Sequence, residues 1–234
     1  GEHVGAYVTF DTTNDIVVEA KVSSSFISHE QAWVNLNREL PDDKKFDEIL
    51  SEGRRSWNNE LSKIKVETDN TAKGLSDKIK FYSCFYRTIL FPRQFHEYNK
   101  QGKQIHYSPY NGKILDGPLY TDNGFWDTFR AVFPFYTILY PEKLSEIIQG
   151  IMVNPYKESG WLPEWSSPGH RDCMIGSNSA SIIAEAFLKG IKNFDIDIAY
   201  EGIINSSENE GPLSSVGRKG AFEYNNLGYI PFDS

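Results

Sequence analysis

Cysteine is nearly absent: Cys84 and Cys173 are the only two in 234 residues. Two thiols cannot build a disulfide framework or a thiolate metal cage. Each sits in an apolar helical or pre-helical context, so buried free thiols are the expected state. Long apolar runs are missing too, because Arg, Asp, Glu or Lys interrupts every aromatic-rich segment before the ~18 residues that a membrane span needs. There is no Lys/Arg-rich run, and acidic residues outnumber basic ones by 32 to 24, a net charge of -8. Such a chain has no electrostatic footprint for phosphates, which argues against nucleic acid as a partner. The HExxH, GxSxG, GxGxxG and GxxxxGK[ST] patterns do not occur, and residues 11–15 carry neither the Gly nor the downstream Glu of a calcium loop. Ordinary usage of Gly (18) and Pro (11) excludes collagen-like and low-complexity classes. What remains is a folded globular chain, one large domain or one plus part of another. Position 1 is Gly rather than Met, so the compartment cannot be read from the chain itself. The sequon Asn205-Ser206-Ser207 is a three-residue pattern of little weight.

Along the chain, Val4, Ala6, Val8 and Phe10 alternate with polar residues, and so do Ile16, Val18, Ala20 and Val22, with Thr12, Thr13, Asn14 and Asp15 between the two runs. This predicts a hairpin, and because a lone hairpin is marginal in water, its partner strands are expected elsewhere. From Ser28 the period turns helical, with Ser28 and Gln31 spaced as a capping box and Trp33, Leu36 and Leu40 on one face. A second helix is predicted from Pro41, with Phe46, Leu50, Trp57 and Leu61 on its stripe. A third, carrying Leu75, Ile79, Tyr82, Phe85 and Ile89, ends before Pro92. Residues 93–124 read as an irregular excursion with one short hairpin at Asn111-Gly112. Further helices are predicted over 125–140, kinked at Pro134, and over 141–153, 179–191 and 195–206. The stretch 154–177, rich in Pro and Gly, is expected to be a long structured loop.

Three clusters carry chemistry. TDNGFWDTFR (121–130) sets carboxylates, an indole and a guanidinium at the start of a buried helix. A pyranose offers hydroxyls that need planar acceptors and donors, and apolar C–H faces that lie against aromatic rings. Asp127, Trp126 and Arg130 suit both; equally, Asp122 or Asn123 caps the helix, Trp126 belongs to the core, and Asp127 with Arg130 forms a surface ion pair. GWLPEW (160–165) flanks Glu164 with Trp161 and Trp165. Apolar neighbours would raise the pKa of that Glu toward a general acid's, or the two rings plug the core beside a solvated carboxylate. In HRDCMIGSNS (170–179), Asn178 or Ser179 is a natural helix cap.

FYSCFYRTILFPRQF (81–95), FWDTFRAVFPFYTILYPE (125–142), GWLPEW (160–165), CMIG (173–176), IIAEAFLKGIKNFDIDIAY (182–200) and GYIP (228–231) follow one another in an order that resembles glycoside hydrolase family 92, the calcium-dependent exo-acting α-mannosidases. With the weaker early segment ISHEQAWVNLNREL (27–40), the resemblance covers residues 17–234. It implies a mainly α fold, the start of an (α/α)6 toroid over 74–234. A helical linker over 27–73 and the closing strands of an N-terminal β-sandwich over 1–26 would precede it. It implies hydrolysis of terminal mannose, α-1,2-linked in N-glycans or mannan, by single displacement with inversion, the acid and base standing about 6.5 to 9.5 Å apart. Calcium would bridge the sugar's O2 and O3 and help flatten the ring.

Asp127 matches the acid of the family's WDT motif, which binds hydroxyls of the terminal mannose, and Trp161 matches the tryptophan of GWLP in the same subsite. Trp126, Arg130 and Glu164 are implied as neighbours. The general acid, the general base and most calcium ligands are expected after Ser234, so the resemblance places none of them in this chain, and these residues alone are expected to be inactive. Asn178 stands where many members carry His. Mannose-containing glycans are the implied partners, and a secreted, periplasmic or cell-surface location is implied. The competing readings are a metal-free, trehalase-like or glucosidase-like inverting hydrolase, and a carbohydrate-binding protein without catalytic carboxylates.

Overall fold

The computed structural model describes residues 5–14 and 17–233. It is mainly helical. Two polar helices come first, α1 (His29–Glu39) and α2 (Phe46–Leu61), and α3 (Ala72–Thr88) leads into the main body. Ser28 caps α1 by accepting the Gln31 N–H at 3.1 Å, so one half of the expected capping box forms. The other half does not: Gln31 turns its amide to Asn35 and to the Tyr98 carbonyl. The second helix starts at Phe46, not Pro41; the chain turns over residues 41–45 and Glu48 reaches back to the Lys45 N–H.

The excursion after α3 contains short antiparallel ladders. β1 (Arg93–Gln94) pairs with β5 (Tyr120–Thr121), while β2 (Glu97–Tyr98), β3 (Gln104–Tyr107) and β4 (Ile114–Asp116) make a three-stranded meander. The turn between β3 and β4 contains Asn111-Gly112, as the residues predict. β6 (Asn123–Gly124) pairs with β7 (Trp165–Ser166), which joins the two long loops.

The predicted helix over 125–140 is two pieces, α4 (Phe125–Thr128) and α5 (Val132–Leu139). The break falls at 129–131 and not at Pro134, which lies in the first turn of α5, where a missing N–H costs nothing. After α6 (Pro141–Ile148) the chain continues through a π-turn (Gln149–Val153) into α7 (Asn154–Ser159), so the helical path runs past Pro155. The widened turn absorbs the proline's missing donor. Gly150 sits there because a Cβ would come within 2.7 Å of the Tyr120 ring. α8 (Asn178–Leu188), α9 (Ile196–Glu208) and α10 (Ala221–Leu227) complete the order, with Asp195 capping α9 through the Ile198 N–H.

The core lies where α5, α6, the π-turn, α8 and α9 face one another, around Phe125, Phe133, Leu144, Ile148, Ile151, Met152, Leu162 and Ile182. α1 is fastened to β2 by polar groups. Glu97 accepts from the Ser25 hydroxyl, the Phe26 N–H and the Asn35 amide, while Phe26 stacks on Phe95 with centroids 4.1 Å apart.

Upstream of α1 the described residues form no strand, and Tyr7 and Val22 are 92% and 84% exposed. Val4 and Ile16, also part of the expected hairpin, lie outside the described residues. The alternation is present in the sequence, but two strands without a sheet bury too little to hold together. The two thiols are free as expected, yet both are exposed rather than buried, since Cys84 and Cys173 fall on the outward side of α3 and of a loop.

Candidate functional site

The β6–β7 ladder brings the two tryptophan-bearing loops together. Asn123 stands opposite Ser166 and Gly124 opposite Trp165, the Asp122 N–H donates to the Ser166 carbonyl at 2.7 Å, and the Phe125 N–H donates to the Glu164 carbonyl at 3.0 Å. Gly124 is required by contact: the Trp165 ring lies where its Cβ would be, and the Met174 methyl is close by. From this joint α4 starts, with Phe125 fully buried as its anchor and Trp126 and Asp127 facing solvent.

Trp126 is 41% exposed, and the Arg130 guanidinium lies 5.8 Å from its ring centroid and 4.7 Å from that of Phe129. The Thr128 hydroxyl donates to the Asn123 side chain at 2.7 Å, which fixes the first turn. An indole face, a carboxylate and a guanidinium therefore stand together on one exposed turn, the arrangement that a pyranose needs.

Trp161 is half-buried. Its N–H donates to the Ser159 hydroxyl at 3.1 Å, and its ring packs over Gly217, where a Cβ would meet it at 2.8 Å. Its ring thus rests against the turn before α10, and no contact joins it to Trp126 or Asp127 among the described residues.

Glu164 differs from the expectation of a sugar-facing neighbour. It is 4% exposed, and its carboxylate accepts from the Asn178 N–H at 2.8 Å, the Ser179 N–H at 3.3 Å and the Ser179 hydroxyl at 2.5 Å. It therefore caps α8 from below the loop. Desolvation lifts its pKa to about 7, and the hydrogen bonds pull it down only partly. The capping expected of Asn178 or Ser179 is done by this Glu, while the Asn178 amide donates to the Ile175 carbonyl.

Sequence reasoning missed the support around Asp122. This non-glycine residue has a left-handed backbone (φ 63) and its carboxylate binds Arg93 and the Ser167 hydroxyl. The Asp-Asn-Gly run is a turn signal, but Arg93 lies 29 residues away and no local pattern points to it. His170 is also held inside the loop: its Nε2 pairs with the Ser159 hydroxyl at 3.0 Å, its ring meets Tyr110 edge-on, and burial lowers its pKa to about 4. The Asn205 amide of the sequon donates to the Gly160 carbonyl at 2.9 Å, so that side chain is engaged.

Among the described residues no three His, Cys, Asp or Glu side chains converge as a metal site. The carboxylates nearest the joint are committed, Asp122 to Arg93 and Ser167, Glu164 to α8. These residues do not by themselves form a calcium cage.

The glycosyl hydrolase family 92 catalytic domain matches residues 31–234. Among solved structures, the chain is similar to a family GH92 inverting mannosidase from Bacteroides thetaiotaomicron VPI-5482, with 48% identity and a TM-score of 0.81, covering 89% of this chain and 28% of that one. It is also similar to a family GH92 α-mannosidase from the same species, with 27% identity and a TM-score of 0.75 over 89% of this chain and 26% of the other. A protein of Arthroderma benhamiae described as an uncharacterized secreted glycosidase is 28% identical over 97% of this chain and 25% of its own length. The chain thus spans about a quarter of the length of these relatives. No helix among the described residues is long and apolar enough to cross a membrane.

Proposed function

Since the chain belongs to glycosyl hydrolase family 92, we propose that the whole protein is an exo-acting α-mannosidase and that these residues build one wall of its terminal-sugar subsite. The observation that carries the reading is the β6–β7 joint, which sets the turn bearing Trp126 and Asp127 against the Glu164 carbonyl and β7. Asp127 accepts hydrogen bonds from two neighbouring sugar hydroxyls, Trp126 offers an aromatic face to the C–H side of the ring, Arg130 donates to an outer hydroxyl, and a part for Trp161 in the same subsite follows from the family resemblance alone. The structure of an inverting mannosidase at 48% identity supports inversion by single displacement. The family resemblance puts the acid, the base and most calcium ligands outside these 234 residues, so no bond-breaking step is assigned to any residue here. α-1,2-Linked mannose of N-glycans or mannan as substrate follows from the family resemblance. A secreted or cell-surface location is supported by the similarity to a secreted glycosidase. In the whole protein the helices from α3 onward would begin the (α/α)6 toroid, and residues 1–26 would close a β-sandwich.

The test is hydrolysis of α-mannosides by the full-length protein, followed by proton NMR. Release of β-mannose as the first product is expected; release of α-mannose would reject inversion, and no cleavage of any α-mannoside would reject the assignment.

A further inference from the structure

Glu164 does two things at once. Its carbonyl receives the Phe125 N–H that starts α4, and its carboxylate receives two backbone N–H groups and one hydroxyl at the start of α8. We propose that Glu164 is a positioning residue of the sugar site, clamping the α4 turn and the 167–177 loop into one geometry so that Trp126 and Asp127 stand where the sugar needs them. The proposal deepens the reading of this site as a mannose subsite and rests on it.

The case begins with the cap. A helix start needs an acceptor for its free N–H groups, and Ser177, at the N-cap of α8, is a residue type that serves well locally. Its side chain makes no such bond. The acceptor comes instead from 14 residues upstream, and it is a buried carboxylate, which is costly to desolvate. A local serine cap would stabilise α8 but would tie it to nothing else. The glutamate ties it to β7, and through its own carbonyl to α4.

The loop between the two ends of this clamp follows it. Met174 and Gly176 both have left-handed backbones, and Met174 folds back so that its methyl group touches the Gly124 position immediately before α4. Arg171 donates to the Ser167 carbonyl across the loop, and Ser215 donates to the Arg171 carbonyl from outside it. Releasing the carboxylate therefore frees one end of a loop that leans on the sugar-binding turn. Active-site groups held only loosely by their supporting residues lose binding even when the groups themselves are present.

The experiment compares full-length wild type with Glu164→Gln, well below the melting temperature of either. The readouts are kinetics on 4-nitrophenyl α-D-mannopyranoside and amide exchange of the peptide spanning 122–129. An amide in place of the carboxylate keeps the volume but points an N–H2 at a backbone N–H. The expected result is KM raised about tenfold with kcat within about threefold of wild type, because a misplaced wall loses binding in ground and transition states alike. Exchange over 122–129 should rise about threefold or more, as local opening becomes easier. A purely structural role would lower the folded fraction, so kcat would fall while KM stayed put; that result, or unchanged exchange over 122–129, overturns the proposal. Should Glu164→Gln fail to fold, Ser179→Ala removes one donor only; a KM about threefold higher supports the clamp and an unchanged KM refutes it. If wild type cleaves no mannoside, the functional reading fails while exchange still decides whether Glu164 holds the turn.

Discussion

Asp127 and Glu164 are both carboxylates, 37 positions apart, and the fold gives them opposite surroundings. Asp127 faces solvent on α4, free to meet a ligand; Glu164 is sealed under the loop with its oxygens occupied. Replacing Asp127 by Ala in the full-length protein should leave the melting temperature within about 2 °C of wild type while lowering kcat/KM by about 100-fold or more. A charged hydrogen bond lost in a closed subsite costs on the order of 3 kcal/mol. Wild-type turnover in that variant would place Asp127 outside the subsite. Glu164 and His170 make a paired prediction about pH. Burial raises the first from 4.5 to about 7 and lowers the second from 6.5 to about 4. Between pH 4.5 and 7 the folded state holds a proton on Glu164 that the unfolded state has released, so this group withdraws stability as pH rises. His170 does the reverse: the unfolded state holds the extra proton between pH 4 and 6.5, so its contribution is lost on acidification. Each swing is roughly 3 kcal/mol and the two oppose each other. Thermal melts over pH 4–8 should show Glu164→Gln losing stability relative to wild type as pH falls, and His170→Asn gaining. Parallel profiles for wild type and both variants would contradict the burial argument.

The joint between β6 and β7 is only two residues per strand, so its strength lies in contact more than in ladder length. Gly124→Ala should therefore cost about 1–3 kcal/mol, as overpacking against the Trp165 ring forces strand or indole to move. It should also raise KM for an α-mannoside, because Trp126 and Asp127 follow directly. Unchanged melting and kinetics would show that the indole has room to swing aside. Most helices were legible in the residues: α1 from Ser28 and its apolar period, α3 from the stripe through Phe85, α9 from Asp195. The misreadings have local causes. Pro134 looks like a kink and sits in a first turn, Pro155 looks like a terminator and is carried through a π-turn, and Pro41 opens a turn rather than a helix.

Calcium dependence is an expectation for the whole protein that rests on the family resemblance; among the described residues no three His, Cys, Asp or Glu side chains converge. Chelation of the full-length enzyme should abolish mannoside cleavage, with recovery on adding Ca²⁺; indifference to chelator would favour a metal-free inverting hydrolase on a similar helical scaffold. Apolar residues stand exposed both upstream of α1, with Tyr7 and Val22, and around α10, with Phe222 and Tyr229.

The amino-acid order alone determined the family, the predominance of helix and the two tryptophan-bearing segments proposed to hold the sugar, because apolar period, caps and motif order are properties of neighbours along the chain. It also made Asp127, Trp126 and Arg130 a unit, since they share one short turn. The tertiary structure decided that Glu164 turns inward to α8, that Arg93 supports Asp122, and that Trp165 lies on Gly124. Those contacts join positions 14 to 41 residues apart, and only closure of the β6–β7 ladder sets which carboxylate loses its water and which keeps it.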